Sequence, residues 1–159
     1  MADTTAGKDV TDNDVLPREA IRLAQRASDK WDAIQQSGAL LAEIGAVELG
    51  YPETMLERER SVSTYIGEGV AIPHGTDASR ALVRRTTLGV LQFPDGVDWD
   101  GQRVTICVAI AAKGDEHVAV LSALAQILMD PDRAAKLRTS ASVDEVHELL
   151  STIGEGIQA

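Results

Sequence analysis

A nearly continuous apolar run, Val104 to Ala112, dictates much of the fold. A strand whose side chains are apolar on both faces must be buried on both faces, because a solvated face would bring a polar residue at every second position. The run therefore predicts a central strand with further layers of structure on either side of it.

Segments of strand character and of helix character alternate along the rest of the chain. Strands are predicted near residues 20–23, 70–72, 84–93 and 104–112, and helices over 28–46, 53–60, 115–129, 132–137 and 142–150. A loop is predicted over 61–69, with turns at Pro94-Asp95-Gly96 and Asp100-Gly101. This alternation predicts the α/β class: a mixed, mostly parallel sheet between α-helices, in three layers.

The domain boundaries follow from length and composition. A chain of 159 residues suggests one domain, predicted over residues 17–153. Residues 1–16 are small, polar and acidic, which is typical of a disordered tail and not of a signal peptide, and residues 154–159 are predicted to form a C-terminal tail.

Charge and composition exclude several classes of partner. The formal net charge is −10 and aromatic residues make up only 3% of the chain, which argues against nucleic acid and anionic membranes as partners. No apolar run approaches the roughly 18 residues that a membrane-spanning helix needs. Cys107 is the only cysteine, so no disulfide can form within the chain, and this favours the reducing cytoplasm.

His74 stands directly after a predicted buried strand, Val70 to Ile72. Pro73 ends the strand because it lacks an N–H, and Gly75 allows a sharp turn. The imidazole is thus presented at the carboxyl end of a strand, where α/β folds bind ligands. The same stretch is also compatible with a histidine that only caps a turn.

His117 opens the helix that follows the central strand. If that strand runs parallel to the one before His74, both rings lie on the same rim of the sheet. A helix N-terminus disfavours protonation of a nearby imidazole and favours an anion. Arg58 lies at the edge of the inward face of its helix, or is simply one of a solvated run of charges. Two imidazoles and an arginine predict a phosphoryl site, and without a Gly-rich nucleotide loop ATP is an improbable donor.

The sequence gives less support to other kinds of functional site. A zinc site can be drawn from His74, His117, Glu68 and Asp115, but no ligand spacing supports it, and no metal or cofactor is expected. Ser79 and Ser122 lack the sequence of a nucleophile elbow. Cys107 is expected in the core, and His147 is expected to be structural or exposed.

Five motifs in order resemble one family. They are Met55 to Glu59, Tyr65 to Thr76, Gln92 to Val97, Ile110 to His117 and Ser142 to Val146. Together they resemble the EIIA domain of the mannitol/fructose type in the bacterial phosphoenolpyruvate-dependent sugar phosphotransferase system, over roughly residues 18–151. The resemblance implies a mixed sheet between helical layers, in agreement with the pattern above.

The resemblance also implies roles for four residues. His74 is similar to the phosphoryl-accepting histidine, reacting through Nε2, and His117 to the histidine that stabilises the phosphoryl group in transit. Arg58 matches the active-site arginine, and Glu68 matches a polar residue that helps to orient His74. The implied donor is the phosphohistidine carrier protein HPr, and the implied acceptor is a cysteine of an EIIB domain.

Subclass is less strongly marked. The Asp-Glu-His run at 115–117 and the Phe-Pro-Asp-Gly loop at 93–96 resemble mannitol-type EIIA more than fructose-type or nitrogen-regulatory relatives. The alternative function is that of the nitrogen-type branch, in which phosphorylation switches the binding of another protein. The resemblance implies a cytoplasmic protein without membrane insertion in either case.

Overall fold

The computed structural model describes residues 15–114 and 116–158, without the side chains of residues 152 and 154–158. The strands are β1 (Ile21–Arg22), β2 (Tyr65–Gly67), β3 (Val70–Ala71), β4 (Thr87–Trp99) and β5 (Gln102–Ala111). The α-helices are α1 (Lys30–Glu43), α2 (Tyr51–Ser61), α3 (Glu116–Leu128), α4 (Pro131–Thr139) and α5 (Val143–Gln158). Short 3-10 helices span Arg18–Ala20 and Asp77–Leu82.

The strands form one mixed sheet in the order β1-β4-β5-β3-β2. β1 runs parallel to β4 and β3 parallel to β5, whereas the pairs β4/β5 and β2/β3 are antiparallel. The parallel pairing of β3 with β5 continues beyond Pro73 as a bridge between His74 and Ile110. His74 is therefore held beside the carboxyl end of β5, the central strand that the apolar run predicted.

Helices cover both faces of the sheet. Alternate side chains of β5 enter two separate cores: Ile106, Val108 and Ile110 in one, Cys107, Ala109 and Ala111 in the other. α1 and α2 pack against the Cys107 face, and α3, α4 and α5 pack against the opposite face. The predicted α/β class, with a mixed sheet between helical layers, is confirmed.

β4 is longer than predicted. The sequence indicated that the strand stops at Phe93 and that Pro94-Asp95-Gly96 forms a turn, but the strand continues to Trp99. Its register against β5 shifts between Gln92 and Val97. Pro94 is exposed within this irregular stretch, so the residue that cannot donate an N–H lies where the ladder is already interrupted.

Three local boundaries also differ from the prediction. The helix predicted over 28–46 is α1, which starts at Lys30 after its N-cap Asp29, whose side chain accepts a 2.8 Å hydrogen bond from the N–H of Asp32. α2 begins at Tyr51. Residues 61–69, predicted as loop, contain β2, which is short and partly exposed and so leaves no clear periodic pattern.

Ordered structure extends beyond the predicted domain at both ends. Val15 and Leu16 are buried in the core, and α5 runs to Gln158 where a tail was predicted from residue 154. The predicted disordered tail falls mainly on residues 1–14, and the helix predicted over 115–129 starts at Asp115; residues 1–14 and Asp115 lie outside the described residues. No helix in the described part of the chain is long and apolar enough to cross a membrane.

Candidate active site

The ring of His74 is held by the backbone on both sides of Pro73. The Pro73 carbonyl accepts a 2.9 Å hydrogen bond from the N–H of Ile110 in β5. Nδ1 of His74 lies 2.8 Å from the carbonyl oxygen of Ile72. A carbonyl can only accept, so Nδ1 carries the proton and Nε2 keeps its lone pair. The local backbone thus selects the tautomer in which Nε2 can act as a nucleophile.

Tyr51 fixes the turn that follows His74. Its buried hydroxyl accepts a 2.9 Å hydrogen bond from the N–H of Gly75 and donates to the carbonyl of Ile110 at 3.0 Å. A Cβ on Gly75 would lie 2.4 Å from Oγ of Ser79 and 2.7 Å from Oγ1 of Thr54. A side chain at this position would force these neighbours to shift, so their close approach favours glycine.

Removing the Tyr51 hydroxyl should destabilise the fold. Tyr51→Phe leaves the buried N–H of Gly75 without its partner, which should lower the free energy of unfolding by about 1–3 kcal/mol. Chemical denaturation measures this change. Tyr65→Phe is the matched control, since the described part of the chain gives the Tyr65 hydroxyl no hydrogen-bond partner. Equal stability of the two variants would contradict the assigned role of Tyr51.

His117 lies next to His74 at the edge of the sheet where β3 and β5 both end. It is the second residue of α3, and the two ring centroids lie 4.8 Å apart with the planes tilted by 51°. This juxtaposition follows from the parallel pairing of β3 and β5, since one ring extends β3 and the other starts the helix after β5. The structure therefore brings together the two histidines that the sequence analysis singled out.

Two arginines add positive charge to the same cleft, which has a volume of about 240 Å³. Arg58, from α2, donates through Nη1 to the carbonyl of Val62 at 2.7 Å. Arg80 enters from the 3-10 helix and pairs with Asp77 at 3.4 Å. The cleft is lined by Tyr51, Arg58, His74, Gly75, Thr76, Asp77, Arg80, Ala112 and His117. These groups and the N-terminus of α3 form a site suited to a small anion.

Both imidazoles are biased toward the neutral form. Burial lowers the pKa of His74, assisted by the nearby charges of His117 and Arg58, while the Ile72 carbonyl partly opposes the shift. Burial also lowers the pKa of His117, and Arg80 lowers it further. Each pKa lies below its usual value of 6.5. At neutral pH the site therefore offers an uncharged nucleophile among fixed cations.

The lowered pKa of His74 predicts how its reactivity depends on pH. Since the lone pair of Nε2 is lost on protonation, reaction at His74 should decline as the pH falls, at a lower pH than for an imidazole with the usual pKa of 6.5. In the unfolded chain both histidines have the usual, higher pKa and bind protons at a higher pH than in the folded chain. The free energy of unfolding should therefore fall as the pH drops below 6.5. An NMR titration of the histidine rings measures the pKa values on which both expectations depend. A pKa for His74 at or above 6.5 would contradict the prediction.

Glu68 does not lie in this cleft, which corrects the prediction that it sits beside His74. It occupies the turn between β2 and β3 with φ of 56°, and its exposed carboxylate is 4.0 Å from Arg138. Glu68 precedes β3 whereas His74 follows it, and an extended strand carries its two ends apart by about 3.3 Å per residue. The Ile72 carbonyl takes the orienting role that Glu68 was expected to have.

The serines, the cysteine and the remaining histidine considered for other kinds of site lie outside the cleft, are buried, or are engaged in hydrogen bonds. Among residues 15–114 and 116–158, no group of three or more His, Cys, Asp or Glu is arranged to hold a metal ion. Ser79 donates its hydroxyl to the Thr76 carbonyl at 2.6 Å. Cys107 is fully buried, and burial raises the pKa of its thiol. His147 lies in α5, outside the cleft.

Sequence reasoning missed Arg80 and Tyr51. The residues after His74, Asp77 to Arg80, are compatible with a turn or a helical turn, and neither pattern indicates that the 3-10 helix returns the Arg80 guanidinium to the cleft. Tyr51 lies between Gly50 and Pro52, two residues that interrupt regular structure, so the sequence does not indicate which way its ring points. An aromatic residue with a polar tip, next to a helix start, was the only signal for its role.

Comparison with known proteins agrees with this geometry. Residues 14–153 match the family described as "Phosphoenolpyruvate-dependent sugar phosphotransferase system, EIIA 2". The chain is 40% identical over 141 residues to the mannitol-specific phosphotransferase enzyme IIA component of Halalkalibacterium halodurans, covering 89% of this chain and 97% of that one. It is 42% identical over 136 residues to the multiphosphoryl transfer protein of Escherichia coli O157:H7, covering 85% of this chain but only 36% of that longer protein.

A solved structure extends the comparison to the fold. Enzyme IIA for mannitol from Escherichia coli, determined by NMR in complex with phosphorylated enzyme IIB, superposes with a TM-score of 0.79. The two sequences are 36% identical, and the match covers 84% of this chain and 95% of that chain.

Proposed function

The chain belongs to the EIIA 2 family of the phosphoenolpyruvate-dependent sugar phosphotransferase system, and we propose that it carries its phosphoryl group on Nε2 of His74. The observation that carries this assignment is the hydrogen bond from Nδ1 to the Ile72 carbonyl, which leaves Nε2 unprotonated. Nε2 belongs to a ring that lines a cleft with His117, Arg58 and Arg80. The phosphocarrier role itself follows from the family.

The transfer needs little chemistry beyond positioning. The Nε2 lone pair attacks the phosphorus of a phosphorylated donor, an N–P bond forms at His74, and the donor keeps the electron pair of the bond that breaks. Arg58, Arg80 and the N-terminus of α3 offset the negative charge of the phosphoryl group. In the second step a thiolate attacks the same phosphorus, and the electron pair of the N–P bond returns to Nε2.

The partners follow from the place of EIIA in the phosphotransferase system. We assign HPr as the donor and a cysteine of EIIB as the acceptor, in the cytoplasm. The structure of the Escherichia coli relative with phosphorylated IIB supports the second assignment. The mannitol-specific relative supports mannitol as the sugar and favours a carrier over the nitrogen-type regulatory alternative.

A reconstituted phosphotransfer assay tests the assignment. Phosphoenolpyruvate, Enzyme I, HPr and this chain are combined, and an acid-labile, base-stable phosphoryl group is followed by intact mass and located by peptide mapping. The expected result is one phosphoryl group on His74, discharged when a mannitol-type EIIB is added. A chain that stays unmodified while a known EIIA is labelled in parallel would contradict the carrier function.

A further inference from the structure

Glu59 is a buried carboxylate outside the cleft, and we propose that it is a positioning residue for the phosphoryl-transfer site, an inference that rests on the proposed function. It acts through the segment Val62 to Thr64, which contacts both Arg58 and the strand that carries His74. No side chain of this segment lines the cleft, and Glu59 does not line it either. Its role is therefore to hold other groups in place.

The burial of Glu59 is unusual for its surroundings. Its side chain is 0% exposed, whereas Glu57 and Arg60 in the same helix are exposed. A buried carboxylate is costly unless its oxygens are hydrogen-bonded, and an apolar residue of similar size is often the more stable choice. A charge retained at such a position suggests a purpose other than stability.

The carboxylate joins three parts of the fold. One oxygen, Oε1, accepts from the N–H of Thr64 at 3.1 Å and from its hydroxyl at 2.6 Å. The other, Oε2, accepts from the indole Nε1 of Trp99 at 3.0 Å and lies 3.5 Å from Nζ of Lys30. The N–H of Thr64 also lies 3.3 Å from Oε2, so both oxygens contact the segment next to the active site. Only Oε2 also contacts Trp99 at the end of β4 and Lys30 at the start of α1.

From Thr64, hydrogen bonds lead to His74. The carbonyl of Thr64 accepts the N–H of Ile72 at 3.0 Å. The carbonyl of Ile72 in turn accepts Nδ1–H of His74 at 2.8 Å. Displacing Thr64 would therefore move the acceptor that selects the reactive tautomer of His74.

The same segment also restrains Arg58. The carbonyl of Val62, two residues before Thr64, accepts Nη1–H of Arg58 at 2.7 Å. Val62 is itself exposed, so little packing holds it in place. Anchoring Thr64 to Glu59 therefore restrains the Val62 carbonyl, which holds this guanidinium toward the cleft.

Two conservative variants separate positioning from stability. Thr64→Val removes the hydroxyl that donates to Oε1, and Trp99→Phe removes the indole N–H that donates to Oε2. Both residues are buried, so both variants should lower stability. We expect Thr64→Val to slow phosphoryl transfer from HPr roughly tenfold or more at unchanged affinity. The Trp99→Phe variant should accept the phosphoryl group at the wild-type rate. The Thr64→Ser variant keeps the hydroxyl, so it should also react at close to the wild-type rate.

A spectroscopic measurement makes the outcome independent of transfer. The ¹⁵N shifts of the His74 ring report its tautomer and hydrogen bond, and should change in Thr64→Val but not in Trp99→Phe. If both variants slow transfer in proportion to their loss of stability, or if neither changes the ring, Glu59 is only structural. If the wild-type chain accepts no phosphoryl group, the carrier function fails, whereas the ring shifts still decide whether Glu59 positions His74.

Discussion

His74→Asn is expected to abolish phosphorylation of this chain, reducing phosphoryl uptake from HPr by at least about a thousandfold. Asparagine places an N–H close to the position of Nδ1, so the hydrogen bond to the Ile72 carbonyl can survive. Nε2, the nucleophile, has no counterpart in asparagine. The variant therefore removes the reacting atom while preserving the local fold, and intact-mass kinetics with the reconstituted donor measure the loss.

The control for this variant is His147→Asn. His147 lies in α5 outside the cleft, and its replacement should leave phosphoryl uptake unchanged. Thermal denaturation of both variants excludes loss of folding as the cause. A phosphoryl group that still appears on His74→Asn, mapped to another residue, would place the acceptor elsewhere.

Much of this site could be predicted because it depends on topology. The apolar run fixed β5 as the central strand, and Pro73 fixed where the neighbouring strand stops. Once β3 and β5 are parallel, His74 and His117 must share one rim. The prediction required no knowledge of side-chain conformations.

The parts that were missed depend on packing between distant residues. Glu68 stands near His74 in sequence, but the extended chain between them separates the two. Arg80 approaches the cleft only because a 3-10 helix returns it there. β4 passes Pro94 because the bulge tolerates a residue without an N–H, although proline and glycine together usually indicate a turn.

Glu59 was hidden in a run of charged residues. Four successive charges, Glu57 to Arg60, are typical of a solvated helix face. However, Glu59 follows Met55 by one helical turn, and both side chains are buried on the same face of α2. The periodicity contained this information, but only the hydrogen bonds from Thr64 and Trp99 explain why a carboxylate can occupy that face.

His117→Ala should slow phosphoryl transfer to His74 by about 100- to 1000-fold, the cost of losing one aligned donor to a transferring anion. The two ring centroids are 4.8 Å apart, so the His117 ring adjoins the incoming phosphoryl group. In the free chain burial and Arg80 lower the pKa of His117. A phosphoryl dianion on His74 opposes both effects and favours the protonated, donating ring. The His117 ring therefore becomes positively charged mainly when the phosphoryl group is present.

His117→Gln tests whether a hydrogen-bond donor is what the site requires. Glutamine can place an N–H near the position of Nε2 without becoming charged, so it should recover part of the rate that alanine loses. Ser122→Ala, on the exposed face of the same helix, controls for effects on α3 itself. Single-turnover transfer at saturating phospho-HPr isolates the chemical step from binding. An unchanged rate in His117→Ala would mean that the ring only fills the cleft, and that Arg58, Arg80 and the N-terminus of α3 offset the phosphoryl charge without it.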